Sequence, residues 1–397
     1  MERKSVIKMF RPTLFRGLST ESADSSDYHL DRSRRASLSA DQRRKLSMLR
    51  TSSIPTPLSP KYVVSTDRSG DIHVHVQGLI PGHRQGDLSQ QDKRCVFLTV
   101  HDLGTNHTSM VDFVNCPAMS EIKERSCFIH VDVPGHEENS PDLPESYPFP
   151  SLQTLGEDMI TVLDFLNVRY AVGLGEGAGA NVLARCGQAH PRRLLGLILV
   201  NCTASTSSVA DAFRSRFSRW RGTDISQSEE DFLIYHKFGH QIPSDSCEVA
   251  ERDRTLAEYR SRLRGNLNTH NIKQYVRAFI HRKDLVLRGC RPDILLITGT
   301  QSPYAGVVEK MYKELDKDKV TILKVDKVGD VLAEAPAKVA QSLLLFCQGQ
   351  GLLTSLPPPG VERRMSRAMS MEEYDKPNIR RLSLTPNTSE SPAPRKL

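Results

Sequence analysis

Long apolar runs are missing from this chain of 397 residues. None approaches the roughly 20 residues that a membrane-spanning helix requires, so no transmembrane segment is expected. Cys-x-x-Cys pairs are missing too. The 8 cysteines stand apart at 95, 116, 127, 186, 202, 247, 290 and 347, which writes neither a zinc ribbon nor a thioredoxin-like redox motif. With no secretory signal pattern, free thiols in a reducing, cytoplasmic compartment are expected. A mitochondrial transit peptide is opposed by Glu2, Glu21, Asp24 and Asp27, since such peptides avoid acids. Apolar residues make up only 38% of the chain, less than a fold packed over its whole length would need.

Charge locates the unpacked part. Residues 1–60 carry 12 Lys/Arg against 6 Asp/Glu, and 352–397 carry 8 against 5, so with a total of +7 the middle is near −2. The basic balance therefore belongs to the ends, and no specific nucleic-acid binding follows from it. Both ends, 1–60 and 351–397, are rich in Ser, Arg and Pro and lack helical or strand periodicity, the composition of disordered tails. Within them Arg34-Arg35-Ala36-Ser37, Arg44-Lys45-Leu46-Ser47, Arg363-Arg364-Met365-Ser366 and Arg380-Arg381-Leu382-Ser383 each set two basic residues shortly before a serine. Basophilic Ser/Thr kinases read that pattern, so Ser37, Ser47, Ser366 and Ser383 are candidate phosphorylation sites. Each phosphate would add about −1.5 to −2 charges and change what a basic tail can bind, whether a protein or an anionic membrane surface.

Between the tails, short apolar runs alternate with helical patterns. Tyr62–Thr66 and Asp71–Ile80 alternate like a hairpin; Cys95–Val100, Ala171–Leu174 and Leu194–Asn201 are continuous apolar runs of the kind buried on both faces of a parallel sheet, and Cys127–Gly135 is another buried strand, ending in an acid, a proline and a glycine. Ser151–Val168 carries apolar residues at helical spacing behind a serine cap. From Cys202 to Arg288 the strand signal stops and charged, aromatic-studded helical segments take over. Arg214, Arg216, Arg219 and Arg221 there surround Trp220, most simply as the solvated face of a helix with Phe213, Phe217 and Trp220 packed beneath. Strand–helix alternation returns over 289–350. The partition is a core of 61–201 and 289–350 interrupted by a helical cap over 202–288. That is the layout of an α/β-hydrolase fold, a mostly parallel sheet flanked by helices.

The centre of this plan is YAVGLGEGAGANVLARCG, Tyr170–Gly187, which reads strand, sharp turn, helix. In hydrolases of this fold the turn is a G-x-S-x-G elbow carrying the nucleophilic serine. Here its middle residue is Gly177. The acid position after the strand Asp293–Gly299 holds Ser302, and the base position after Val320–Val325 holds Asp330. His101 and Asp102 stand in the loop that ordinarily supplies an oxyanion-hole N–H, and Glu176 adjoins the elbow, yet none is a positioned nucleophile. No catalytic residue is therefore expected.

Two rival motifs fail on context. Gly173–Ala178 matches G-x-G-x-x-A, but it is not the first βα turn, and no acid occurs between Glu176 and Asp211 to hold a ribose. His73 and His75 share a strand face without a third ligand at metal-site spacing, so a solvent-facing strand and no metal site are expected. Asp132, at the end of its strand, could orient a ligand or cap the following loop.

Taken together, Tyr170–Gly187, TVHDLGTNH over Thr99–His107 and HVDVPGHEENSPDLPESYPFPS over His130–Ser151 resemble the N-myc downstream-regulated (NDRG) family, over about residues 61–350. The resemblance implies a hydrolase fold without hydrolase activity, no cofactor, and work among protein partners in signalling, stress response, differentiation or trafficking. The alternatives left open are a hydrolase with unorthodox residues and a binder of a small lipid or metabolite in the vestigial pocket.

Overall fold

A computed structural model describes residues 60–78, 94–205, 225–239 and 248–357 of the chain. The strands are β1 (Lys61–Thr66), β2 (Gly70–Gln77), β3 (Cys95–Val100), β4 (Ser126–Asp132), β5 (Ala171–Glu176), β6 (Leu194–Val200), β7 (Asp293–Gly299) and β8 (Val320–Val325). They form one sheet in the order β1-β2-β4-β3-β5-β6-β7-β8. The pairs β1/β2 and β2/β4 are antiparallel and the remaining pairs parallel. The order runs outward from β3/β5 in both directions, so the ends of these two strands meet at a topological switch point, where open α/β sheets place their crevices.

The hydrophobic runs have the consequence their composition dictates. Successive residues of a strand point to opposite faces, so on β3 Val96, Leu98 and Val100 enter one core cluster while Cys95 and Phe97 enter the other. On β6 Leu197 and Leu199 separate from Ile198 and Val200 in the same way. Helices α1 (His107–Asn115), the short α2 (Ser120–Glu124), α3 (Leu152–Phe165) and α4 (Gly177–Ala189) cover these faces. Ser151 caps α3 by accepting the Thr154 N–H at 3.1 Å. Strand β2 runs to Gln77, after which Gly78 turns the backbone to φ +95°; Leu79 and Ile80 lie outside the described residues.

The described part of the cap contributes α5 (Gln227–Phe238), α6 (Glu248–Gly265) and α7 (Thr269–Ile280). Helix α5 starts in a capping box, Ser226 with Glu229, whose carboxylate accepts the Ser226 N–H at 2.7 Å. Phe232, Leu233, Leu263, Tyr275 and Phe279 of the cap join the same core cluster as α3 and α4. Cap and sheet thus share one continuous apolar interior. The chain closes with α8 (Ala305–Glu314), the short α9 (Val331–Glu334) and α10 (Pro336–Gly349), the last packing its Val339, Leu343 and Cys347 into the opposite cluster. The Phe213–Trp220 segment lies outside the described residues, as do the four tail serines.

Helix α4 sits against the sheet with almost no clearance. A Cβ on Gly179 would stand 2.2 Å from the Val100 carbonyl oxygen and 2.5 Å from that of His101. Both obstacles are backbone atoms, at the last residue of β3 and the one after it, and cannot rotate away. Gly179→Ala should therefore cost about 3 kcal/mol or more of stability, measured as a loss of urea midpoint; an unchanged midpoint would refute this reading of the packing.

Candidate functional site: a plugged elbow under the cap

Gly177 opens α4 directly after β5, with φ +50°. An L-residue here costs about 1–3 kcal/mol of backbone strain, which glycine avoids. The space where a nucleophile would begin is already taken, since a Cβ on Gly177 would fall 2.1 Å from Asp102 Oδ1. That oxygen accepts the Ala178 N–H at 2.8 Å. In hydrolases of this fold, the N–H of the residue after the nucleophile is one of the two oxyanion-hole donors. Here a resident carboxylate has it.

Asp102 in turn faces the cap. Its Oδ2 lies 2.9 Å from Nε2 of His236 on α5, and Nδ1 of His236 meets the Tyr304 hydroxyl. Because a carboxylate only accepts, Nε2 carries the hydrogen in this pair. Burial by itself would raise the Asp102 pKa; the attraction and hydrogen bond of His236, with the Ala178 N–H, outweigh it and bring it to about 2. Burial pushes the Tyr304 hydroxyl well above the ordinary tyrosine value, so it keeps its proton in this chain of Tyr304, His236 and Asp102.

The next residue of α5 completes the contact. Lys237 Nζ donates to both Glu176 oxygens, at 2.8 and 2.9 Å, and lies 3.1 Å from Asp330 Oδ2. Burial disfavours the Lys237 charge, but Asp330 and Glu176 overcome that and raise its pKa. Glu176 moves the other way for an acid. Burial, with Asp330 and Asp102 nearby, lifts it to about 7 in spite of Lys237, because one ammonium cannot neutralise three carboxylates.

The sequence-predicted positions therefore converge only in part. Asp330, at the base position, meets the elbow through Lys237 and caps α9, accepting from the Leu332 and Ala333 N–H groups at 3.1 and 3.2 Å. Ser302, at the acid position, accepts the Tyr304 N–H at 3.3 Å and serves the turn before α8. His101 has both nitrogens committed: Nδ1–H donates to the Asp102 carbonyl at 2.8 Å and Nε2 accepts the Val133 N–H at 3.1 Å. It has no lone pair left for a base. His236, Lys237 and Tyr304 had not been singled out. For His236 and Lys237 the signal is the His-Lys pair inside the otherwise apolar FLIYHKF stretch of a helix; no sequence pattern marks Tyr304.

Beside this network lies a cavity of about 280 Å³, lined by Gly104, Glu176, Lys237, Tyr259, Arg262 and Asp330 among others. The Tyr259 hydroxyl in its wall is buried without a hydrogen-bond partner.

A second polar cluster forms at the end of β4. Asp132 Oδ1 accepts the His107 backbone N–H at 2.6 Å, and Oδ2 accepts from His107 Nδ1 at 2.8 Å, so the acid caps α1, one connection away, and not the loop that follows it. His75 Nε2 is 3.2 Å from the same Oδ2. The expected solvent-facing histidine strand is corrected by this arrangement: His73 and His75 are half-buried, because His107 at the start of α1 stacks on the His75 ring at 3.5 Å and Glu137 lies 3.9 Å from His73 Nδ1.

With this geometry in place, the Ndr family model matches residues 62–354. The chain belongs to the Ndr family. An uncharacterized protein of Caenorhabditis elegans is 39% identical over 329 residues, covering 81% of this chain and 94% of that one. Protein NDRG1-A of Xenopus laevis is 31% identical over 294 residues, with 71% and 72% covered, and protein NDRG2 of Bos taurus is 30% identical over 270, with 66% and 72% covered. Among solved structures, a thermophilic esterase from Thermogutta terrifontis superposes with TM-score 0.56 at 15% identity, covering 73% of this chain and 99% of that one. A hydrolase from Pseudomonas aeruginosa does so with 0.53 at 19%, covering 72% and 97%. At such identities these likenesses establish the α/β-hydrolase fold of this Ndr-family chain and nothing finer. Among its described residues no helix is long and apolar enough to cross a membrane.

Glu176 makes the family member's stability depend on pH in a definite direction. Its folded pKa of about 7 exceeds the 4.5 of a free glutamate, so its favourable contribution is complete below pH 4.5 and is lost as pH rises through 7. The loss from this group is about 3 kcal/mol. Urea midpoints of the wild type should fall between pH 5 and 7, and Glu176→Gln should flatten that fall; a wild type with no decline in this window would contradict the assignment.

Proposed function

We propose that this Ndr-family chain is a non-catalytic α/β-hydrolase-fold protein that works in signal transduction as a phosphorylation-regulated adaptor. One observation carries the non-catalytic half of this reading: the Asp102 carboxylate accepts the Ala178 N–H that an oxyanion would need. Oxyanion stabilisation is usually the largest single contribution to acyl transfer. A fixed negative charge in the hole would repel the very charge that must develop there. Removing a hydrolase triad costs about 10⁶-fold in turnover, and the elbow offers Gly177 where a nucleophile is required.

The adaptor half rests on the sequence. Four basic-basic-x-Ser motifs, at Ser37, Ser47, Ser366 and Ser383, stand in strongly basic ends flanking a core of slightly negative charge. Phosphate on them would offset much of the local positive charge and exchange one set of partners for another. The working place is the cytoplasm, with proteins as partners, basophilic kinases as modifiers, and contact with anionic membrane surfaces through the tails.

A second reading has its own support. The cavity beside Lys237, with the unpartnered Tyr259 hydroxyl in its wall, suits a small lipid or metabolite bound without being cleaved. Native mass spectrometry of purified protein would detect it as a stoichiometric adduct.

A fluorophosphonate probe and a panel of esters should give neither labelling nor turnover with the wild type, and Gly177→Ser should not create activity. That variant should instead lose at least about 2 kcal/mol of stability, from positive φ and the contact with Asp102. Labelling abolished by substitution near His101 or Glu176 would overturn the non-catalytic reading. For the tails, intact-mass analysis of protein from its native cells should show phosphate, and Ser37→Asp with Ser383→Asp should change the set of co-purifying proteins relative to the alanine versions; tails that are unmodified throughout would remove the regulatory half.

A further inference from the structure

The cluster at the end of β4 has a composition that hydrogen bonding alone does not use up. His75, His107 and Asp132 each offer one donor atom, and the three atoms lie within 4.8 Å of one another. They come from three elements: β2, the first residue of α1, and the last residue of β4. The Asp132 side chain is fully buried, while those of His75 and His107 are 15% and 13% exposed. A small ion could therefore reach the site from solvent without unfolding anything.

Two features point to a missing ligand. His75 Nε2 is buried and stands 3.2 Å from Asp132 Oδ2 without forming a regular hydrogen bond to it or to any other group. The rings of His75 and His107 are stacked at 3.5 Å between centroids and 8° between planes, beside a single carboxylate oxygen. Such a stack sets two imidazoles beside one oxygen, and sharing an ion requires the rings to turn out of it. His73, two residues along the same strand face and opposite Asp132 in register, also has a buried Nδ1 without a hydrogen bond.

We propose that His75, His107 and Asp132 bind one divalent transition-metal ion of the zinc type. Two imidazoles with one carboxylate are a donor set that zinc and its first-row neighbours accept, and hard ions such as magnesium and calcium do not favour. In tetrahedral zinc with bonds of about 2.0–2.1 Å, neighbouring ligand atoms are about 3.4 Å apart. The observed Oδ2 separations of 2.8 Å to His107 Nδ1 and 3.2 Å to His75 Nε2 are close to that spacing. Entry of the ion releases the proton between His107 Nδ1 and Asp132 to solvent, leaving His107 with its remaining hydrogen on Nε2, and the two rings must turn well out of their parallel stack for both lone pairs to point at the ion. The His107 N–H to Oδ1 bond holds the carboxylate in place from outside the coordination sphere. Three protein donors leave at least one position for water.

The full-length protein, freed of metal with a chelator, is titrated with zinc chloride by calorimetry and with cobalt chloride by visible absorption. One ion per chain is expected, together with cobalt d–d bands of a nitrogen- and oxygen-ligated site and a higher Tm in zinc. His75→Gln and His107→Gln should each weaken binding at least about tenfold, while His281→Ala, at an exposed histidine, should leave it unchanged. Circular dichroism checks that the variants fold, and the wild-type cobalt spectrum stands independently of them. The proposal fails if the wild type takes up no stoichiometric ion, if both glutamine variants bind as before, or if the cobalt spectrum shows thiolate charge transfer, which would place the ion on cysteine.

Discussion

Lys237 is a single buried ammonium held between Glu176 at the elbow and Asp330 behind β8, and the geometry of the site is arranged around it. Without it two carboxylates would face each other beneath the cap. With it, the end of α5 is tied to the ends of β5 and β8, and the neighbouring His236 adds a tie to the loop after β3. Removing one member of such a buried group typically costs about 3–5 kcal/mol, because the others remain charged and unsatisfied. Each of these groups is engaged by its neighbour in the network.

The elbow shows how packing and chemistry trade against each other. Glycine at 177 relieves the backbone, and the volume it vacates is what lets the Asp102 carboxylate reach the Ala178 N–H. A serine and this aspartate rotamer cannot occupy that space together. Absence of a side chain and presence of an anion are two sides of one arrangement, and the fold keeps its turn while the turn changes purpose.

Much of the architecture could be read from residue order, because each buried strand is a short unbroken apolar run between helical patterns, as in Cys95–Val100 or Leu194–Val200. The site was legible at the elbow, where glycines announce the turn, and at Asp330, which follows a strand at the expected place. It was not legible at His236 and Lys237. Their partners lie far off in the chain, and a lysine near a helix end looks like any solvated charge until its burial is known. Nor could Asp132 be paired with His75 and His107 from spacing, since that cluster is assembled by strand order, with β2 beside β4 in space though not in sequence.

The continuous apolar interior shared by cap and sheet bears on recognition. In many hydrolases the cap is a gate, and a visitor must find it ajar. Here the gate is bolted from within by charge and filled from within by Phe232, Tyr275 and Phe279. A macromolecule gripping the outside meets one fixed relief, whichever half it touches. It gives up no free energy waiting for a minor conformation to arise. The described cap and sheet thus present a surface backed by one packed interior.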